Sequence, residues 1–224
     1  MNRAYIILMT LFLLKHQWIL YFIPLVVGIL NFRKLDKGLK LIFYYLIIGL
    51  VSEILNYVFI SFVKVSNSMP IGHFYYFASS LILGLYYLNQ LDGYINRKLI
   101  IIIIVCFELF TVINAFFIEG ILAFPSLSGA ISSLIFIAFS ILLYSRIMSE
   151  AKIRKLKYST AIWINSGVLV LYTSHFFYFA LYNVFLDISV DFLKIAIQFK
   201  TFVNAFYYQV FTVVFILARN KKGI

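Results

Sequence analysis

Residues 41–63, LIFYYLIIGLVSEILNYVFISFV, form an unbroken apolar run in which Glu53 is the only charged residue. A helix needs about 20 mostly apolar residues to cross the hydrocarbon core of a bilayer, so this run is long enough for one crossing. Strands of membrane barrels last about ten residues and alternate in polarity, whereas this run does not alternate. We therefore predict a transmembrane helix here.

The rest of the chain has the same character. Hydrophobic residues make up 64% of the 224 residues and charged residues 12%, against roughly 45–50% and about 25% in soluble domains. We therefore predict an all-α polytopic membrane bundle of about seven spans, forming a single domain over residues 1–224. The predicted spans are 10–32, 41–63, 70–91, 99–118, 126–145, 158–185 and 192–218. Residues 4–14 lack a following signal-peptide cleavage site, so we expect an interfacial segment or the start of the first span.

The net charge of +11 is best explained by the way the chain crosses the membrane. In a soluble protein it would favour nucleic-acid binding, but here the basic residues lie in short loops between apolar runs. With seven spans, most of them fall on one side, in the segments 33–40, 97–98, 146–157 and 219–222. The positive-inside rule then places the N-terminus outside and the C-terminus inside. We predict a lipid bilayer, and no nucleic acid, as the environment of the chain.

Polar side chains inside the spans are the candidates for function. A charge at mid-span costs roughly 2.5–3.5 kcal/mol, so it normally faces the interior of the bundle. At a helical period, polar side chains form one stripe on each of spans two, three, six and seven. Turned inward, these stripes would line a polar cavity open to the outside. The predicted ligand-binding residues are Glu53, Asn56, His73, Tyr76, Glu108, Tyr172, His175, Lys200 and Asn204.

A purely structural role for these residues is the alternative. Polar side chains in membrane bundles also hydrogen-bond one helix to another, at about 0.6 kcal/mol on average. Because ionisable residues at depth more often mark function, we expect Glu53, Glu108 and Lys200 to be the stronger candidates. Lys200 is the expected partner of one of the two carboxylates.

Two cofactors come into question. Seven spans with a lysine in the last one resemble a microbial rhodopsin in outline; that family holds retinal on the lysine near an acid in span three, but residues 70–91 contain no Asp or Glu. A catalytic zinc needs three protein ligands, and the histidines are His16, His73 and His175, with no His-x-x-x-His pair. We predict neither retinal nor zinc, and no other cofactor.

Three features of the chain resemble uncharacterised seven-helix inner-membrane proteins of the Bacteroidetes. They are the basic loop Arg33–Lys40 before the span with Glu53, the segment His73-Phe74-Tyr75-Tyr76, and the motif Trp163-Ile164-x-x-Gly167. The resemblance implies a bacterial inner (cytoplasmic) membrane and no known activity.

These features together favour a non-enzymatic membrane protein whose outward-facing cavity binds a small molecule or an ion. It would act as a receptor-like sensor or an accessory subunit, and its basic inner loops would contact a membrane-protein partner. The alternatives are a proton-coupled transporter and a membrane enzyme acting on a lipid substrate. No phosphate-binding loop, Gly-x-Ser-x-Gly elbow or His-Glu-x-x-His motif occurs, so we predict no catalytic residue. The oligomeric state has no sequence signal.

Overall fold

The computed structural model of the protein describes residues 17–65, 67–150, 158–188 and 190–220, and every regular element in these ranges is a helix. Two 3₁₀ turns, Gln17–Tyr21 and Phe32–Lys34, flank the first α-helix. The α-helices are α1 (Phe22–Asn31), α2 (Lys37–Val58), α3 (Met69–Gln90), α4 (Arg97–Ile113), α5 (Ser126–Glu150), α6 (Thr160–Ala180), α7 (Tyr182–Ile188) and α8 (Val190–Asn220). Helices α2 and α4 continue as π-helical turns, at Phe59–Val63 and Asn114–Ile118. The segment 4–14 and the first residues of the predicted span at 10–32 lie outside the described residues.

Four helical stretches are long and apolar enough to cross a membrane. They are Lys37–Val63, Arg97–Ile118, Ser126–Glu150 and Ile195–Arg219. The all-helical prediction is confirmed for the described residues, and the count of seven spans and the orientation stay predictions. Helices α3 and α6, with 22 and 21 residues, are nearly as long as these four stretches. They are not among them because their Tyr, Ser and His side chains lower their mean hydropathy.

Within the predicted sixth span, at 158–185, the structure has two helices where the sequence predicts one. Helix α6 ends at Ala180, and the separate helix α7 begins at Tyr182. The backbone stays hydrogen-bonded across the break, because Leu181 N donates to Phe177 O (3.1 Å) and Leu181 O accepts from Phe185 N (2.9 Å). Since neither Pro nor Gly stands at this break, hydrophobic periodicity does not reveal it. Other helix starts carry a clear signal, as where the Asp36 carboxylate accepts from Leu39 N at 2.9 Å and caps α2.

The helices pack in a closed ring. Contacts run from α1 to α2, α2 to α3, α3 to α5, α5 to α6, α6 to α8 and α8 back to α1, and α4 packs against α3 and α5. Within its most apolar stretch, α8 is 56% buried, against 17% for α2. The last helix is therefore the most enclosed of the four apolar stretches and closes the ring against the first.

The two ends of the bundle differ in charge. At one end, Asn67 Nδ2 donates to Leu122 O (2.7 Å), which joins the α2–α3 loop to the α4–α5 loop. At the other end, Arg146 donates to Gln90 O (2.5 Å), which joins the C-terminal ends of α5 and α3. We call this second end the basic end, because it carries Arg33, Lys34, Lys37, Lys40, Arg97, Lys98 and Arg146.

The surface around the ring is apolar. Large hydrophobic side chains stand exposed on it, among them Leu30 (78%), Phe117 (83%) and Phe202 (73%). Apolar surface of this extent is costly in water and favourable in hydrocarbon. The distribution fits a chain whose outer solvent is lipid.

Close packing of α5 on α6 depends on a glycine. A Cβ added at Gly129 would lie 2.5 Å from Cγ of Phe179, which is a ring atom next to the backbone and has little freedom to move. We expect Gly129→Ala to cost about 1–3 kcal/mol of stability from overpacking, partly offset by about 1 kcal/mol of helix propensity. Thermal unfolding in detergent micelles measures the change.

Gly72→Ala is the matched control for this substitution. It gains the same helix propensity in α3, and a Cβ there meets no heavy atom within 4 Å. Gly129→Ala is therefore expected to unfold at a lower temperature than Gly72→Ala. Equal unfolding temperatures for the two variants would contradict the packing described.

Candidate functional site

A cavity of about 630 Å³ lies among α2, α3, α6 and α8, at the end opposite the basic end. Loop residues Ser68, Phe124 and Pro125 line its mouth. Its polar lining residues are Tyr21, Ser52, Glu53, Asn56, Tyr57, Ser61, Tyr75, Tyr76, His175, Lys200, Asn204 and Tyr208. The structure thus brings polar side chains from four helices to one place.

Six of the predicted site residues line this cavity: Glu53, Asn56, Tyr76, His175, Lys200 and Asn204. They come from the inward faces of α2, α3, α6 and α8, as their helical spacing predicts. His73, Glu108 and Tyr172 are not among the lining residues and lie elsewhere in the bundle. Ligand binding by any of these residues stays a prediction.

Glu53 and Lys200 face the cavity without forming an ion pair. They line the same cavity, but no carboxylate–ammonium contact within 4.0 Å joins them. The Glu53 carboxylate accepts no hydrogen bond from any described residue. The expected pairing of Lys200 with a carboxylate is not seen as an ion pair among the described residues, and Glu53 is the carboxylate that shares its cavity.

Aromatic rings hold the Lys200 ammonium group. Its Nζ lies 5.0 Å from the ring centroid of Tyr178 and 5.6 Å from that of Phe179. A cation over an aromatic face gains about 0.5–2 kcal/mol, so these rings favour one position of the amine. The ammonium group is thereby directed toward aromatic residues of α6, and Glu53 on α2 is left free to meet another group.

His175 and Asn204 form a neutral pair on the cavity wall. Nε2 of His175 lies 3.0 Å from Oδ1 of Asn204. Since Oδ1 is an acceptor, Nε2 carries the proton in this contact, and Nδ1 is the remaining acceptor of a neutral imidazole. The ring of Phe179 packs edge-on against His175 at 5.6 Å between centroids. The pair offers a ligand hydrogen-bonding groups without net charge.

Two tyrosines form the floor of the cavity. Tyr21 and Tyr208 are hydrogen-bonded through their hydroxyl groups, and their ring centroids lie 4.1 Å apart. Gly49 makes room for this pair, because a Cβ there would lie 2.5 Å from Cε1 of Tyr21. Below them, Tyr45, Tyr207 and Phe211 are 2%, 1% and 0% exposed. The cavity therefore ends on a closed aromatic layer.

Sequence reasoning did not single out Tyr21 and Tyr75. Tyr21 stands near the middle of the predicted first span, 10–32, and polar stripes are predicted only on spans two, three, six and seven. Tyr75 stands one residue before Tyr76, about 100° away around α3, yet both side chains line the cavity. The cavity is wide enough for adjacent residues of α3 to line it, and helical periodicity does not indicate that width.

His73 has a structural contact instead of a cavity position. It is 8% exposed, and its Nε2 lies 3.0 Å from the carbonyl oxygen of Ala123. Because a carbonyl only accepts, the ring donates this hydrogen bond. The bond holds α3 to the loop whose next residues, Phe124 and Pro125, line the mouth of the cavity.

Glu108 is buried between α3 and α4, away from the cavity. It is 8% exposed, and its Oε1 accepts a 2.8 Å hydrogen bond from Ser80 Oγ. Its Oε2 has no partner among the described residues. Tyr172 likewise packs in the core, 4.9 Å from Phe136 between ring centroids. The rule that a charge at mid-span faces the interior placed Glu108 inward, and the stripe on span six placed Tyr172 inward, but both side chains meet other helices.

A closed hydrogen-bonded cluster joins α3, α5 and α6. Tyr87 donates to Asn165 Oδ1 (2.8 Å), and Asn165 Nδ2 donates to the carbonyl oxygen of Ser140 (2.9 Å). Since the Tyr87 proton is used, Ser140 Oγ donates to the Tyr87 oxygen at 2.8 Å. Both buried amide groups of Asn165 are therefore satisfied, which is the arrangement expected of a structural polar contact.

No protein-family model matches this chain, and neither a curated protein nor a solved structure matches it. Within the described ranges, no group of three or more His, Cys, Asp or Glu side chains is placed to hold a metal ion. The chemistry of the site therefore has to be argued from its own residues.

Asn165 and Asn56 provide a test of which asparagine is structural. Asn165→Ala removes two buried hydrogen bonds and leaves the Tyr87 hydroxyl without its acceptor, so we expect a loss of about 1–3 kcal/mol. Asn56→Ala, on the cavity wall, is expected to change stability by less than about 0.5 kcal/mol. Thermal unfolding of both variants in the same detergent measures the difference. Equal losses of stability would contradict a structural role for Asn165 that Asn56 lacks.

Proposed function

We propose that the protein is an integral membrane protein of about seven spans that binds a small molecule or an ion in this cavity. It acts as a receptor-like sensor or an accessory subunit. The observation that supports this most directly is that Glu53 and Lys200 face one cavity without an ion pair. Opposite charges in a medium of low dielectric constant attract strongly. Keeping Glu53 and Lys200 apart costs free energy unless a third, bound group compensates their charges.

The size of the cavity supports a small ligand. Sites for small molecules are clefts of roughly 300–1,000 Å³ lined by apolar and aromatic side chains with a few polar groups. The cavity measures about 630 Å³, and its lining has this mixture.

The closed floor favours binding over passage. A solute moving toward the basic end would have to displace the layer of Tyr45, Tyr207 and Phe211, which are almost fully buried. A proton-coupled transporter, the alternative function, would need this layer to open in each cycle. Uptake of a bound ligand into proteoliposomes would distinguish the two functions.

The charge difference between the ends supports a bacterial inner-membrane orientation with the N-terminus outside. The basic end then faces the cytoplasm, and the cavity opens to the opposite side. Helix α8 connects the two, since it carries Lys200, Asn204 and Tyr208 in the cavity and reaches Arg219 near its end. We infer that ligand binding is passed along α8 to a membrane-protein partner at the basic loops.

Cysteine labelling tests the orientation. In a Cys106→Ser background, which removes the chain's one cysteine, Ile121→Cys and Tyr94→Cys place a thiol at opposite ends, at residues 37% and 39% exposed. A membrane-impermeant maleimide added to intact spheroplasts is expected to label Ile121→Cys only. Labelling of Tyr94→Cys alone would reverse the orientation, and labelling of both would show that the two loops share a side.

Thermal stabilisation by ligands tests the binding function. We expect at least one member of a panel of amino acids, organic acids, sugars, nucleosides and inorganic ions to raise the unfolding temperature of the purified protein. A ligand present at 100 times its Kd adds about 2.7 kcal/mol. Gly72→Phe is the control, because it places a ring in the cavity from a position with no heavy atom within 4 Å of a Cβ.

The control separates cavity binding from unspecific effects. A compound that stabilises the wild type and not Gly72→Phe binds in the cavity. If every compound of the panel acts equally on the two proteins, the proposed function is wrong.

A further inference from the structure

We infer that the cavity takes a zwitterionic ligand of the amino-acid type, with an ammonium group at Glu53, an anionic group at Lys200 and an apolar side chain toward the mouth. This inference rests on the proposed function and adds the chemical class of the ligand. It comes from three features of the cavity: two unpaired opposite charges, a neutral polar wall, and an apolar mouth.

The charges specify both ends of the ligand. Glu53 on α2 and Lys200 on α8 share the cavity, and neither has an ion-pair partner in the described part of the chain. An anion bound at Lys200 alone would leave Glu53 unpaired and would be repelled by it. A cation at Glu53 alone would meet the same problem at Lys200. A ligand that carries both charges satisfies the two residues at once.

The neutral polar residues suit an ammonium–carboxylate group. The Asn204 amide and the His175 ring lie on the wall beside Lys200, joined to each other at 3.0 Å. Asn56 follows Glu53 by three residues, about one helical turn, and lines the same cavity. These side chains offer both donors and acceptors, so they can complete the hydrogen bonds of a bound ammonium and a bound carboxylate.

The rest of the cavity is apolar. Ile60, Met69, Phe124, Pro125, Leu171 and Ile197 line it. A charged group of a few heavy atoms fills only a few times the roughly 30 Å³ of one water molecule, so most of the 630 Å³ remains for another part of the ligand. An aromatic or aliphatic side chain is the part that this lining would stabilise.

Three indole compounds with the same ring test the inference. Tryptophan carries both charges, tryptamine carries only the ammonium group, and indole-3-propionate carries only the carboxylate. Binding of each to the purified full chain is measured by microscale thermophoresis and checked by thermal stabilisation. We expect tryptophan to bind at least tenfold more tightly than either singly charged compound.

Variants of the two charged residues identify the contact that each charge makes. Glu53→Gln is expected to weaken tryptophan at least tenfold and to leave indole-3-propionate unchanged or tighter. Lys200→Gln is expected to weaken tryptophan and to spare tryptamine. The double variant Glu53→Lys with Lys200→Glu keeps the sum of charges, and we expect it to bind tryptophan again, more tightly than either single variant. If a single variant fails to fold, the wild-type comparison of the three compounds still decides.

The outcomes separate this inference from the proposed function. If tryptamine or indole-3-propionate binds as tightly as tryptophan, or if a panel compound that is not a zwitterion binds in the cavity while tryptophan does not, the zwitterion inference is wrong and the binding function stands. If tryptophan and the whole panel fail to distinguish the wild type from Gly72→Phe, both are wrong.

Discussion

The exclusion of polar groups from an apolar surrounding is the constraint on which this structure depends. The outer surface carries exposed leucine, isoleucine and phenylalanine side chains, so it offers polar atoms no favourable contact. The bundle therefore turns its polar side chains inward, and the ring closed by α8 against α1 provides the interior that receives them. Two of the resulting polar sites contrast in how far the described residues satisfy one another's polar groups.

The first kind is complete without a ligand. Tyr87, Ser140 and Asn165 use their hydrogen-bonding groups on one another, and His73 is held by a loop carbonyl. Such contacts stabilise one packing of the helices and offer a ligand little. The second kind is the cavity, where Glu53 accepts no hydrogen bond from a described residue and Lys200 lies over two aromatic rings. A charged side chain without a partner beside open volume is the arrangement that the proposed binding function would explain.

Much of this site follows from helical period alone. The stripes on α2, α6 and α8 place Glu53, His175 and Lys200 on inward faces, and the structure brings these faces to one cavity. The expectation that ionisable residues at depth mark function gave Glu108 equal weight, although it lies against Ser80 between α3 and α4. A period tells which face of a helix is buried, but not whether that face meets an open volume or another helix.

The sequence by itself determined the class of fold, because long apolar runs with few charges are stable as helices in an apolar solvent. It also predicted inward positions for Glu53, His175 and Lys200, which line the cavity. The tertiary structure alone decided that α6 ends at Ala180, that α8 closes the ring, and that Glu53 and Lys200 share a cavity without touching. The closure of the ring and the shared cavity depend on contacts between residues more than a hundred positions apart, whose energies no local pattern of hydrophobicity contains.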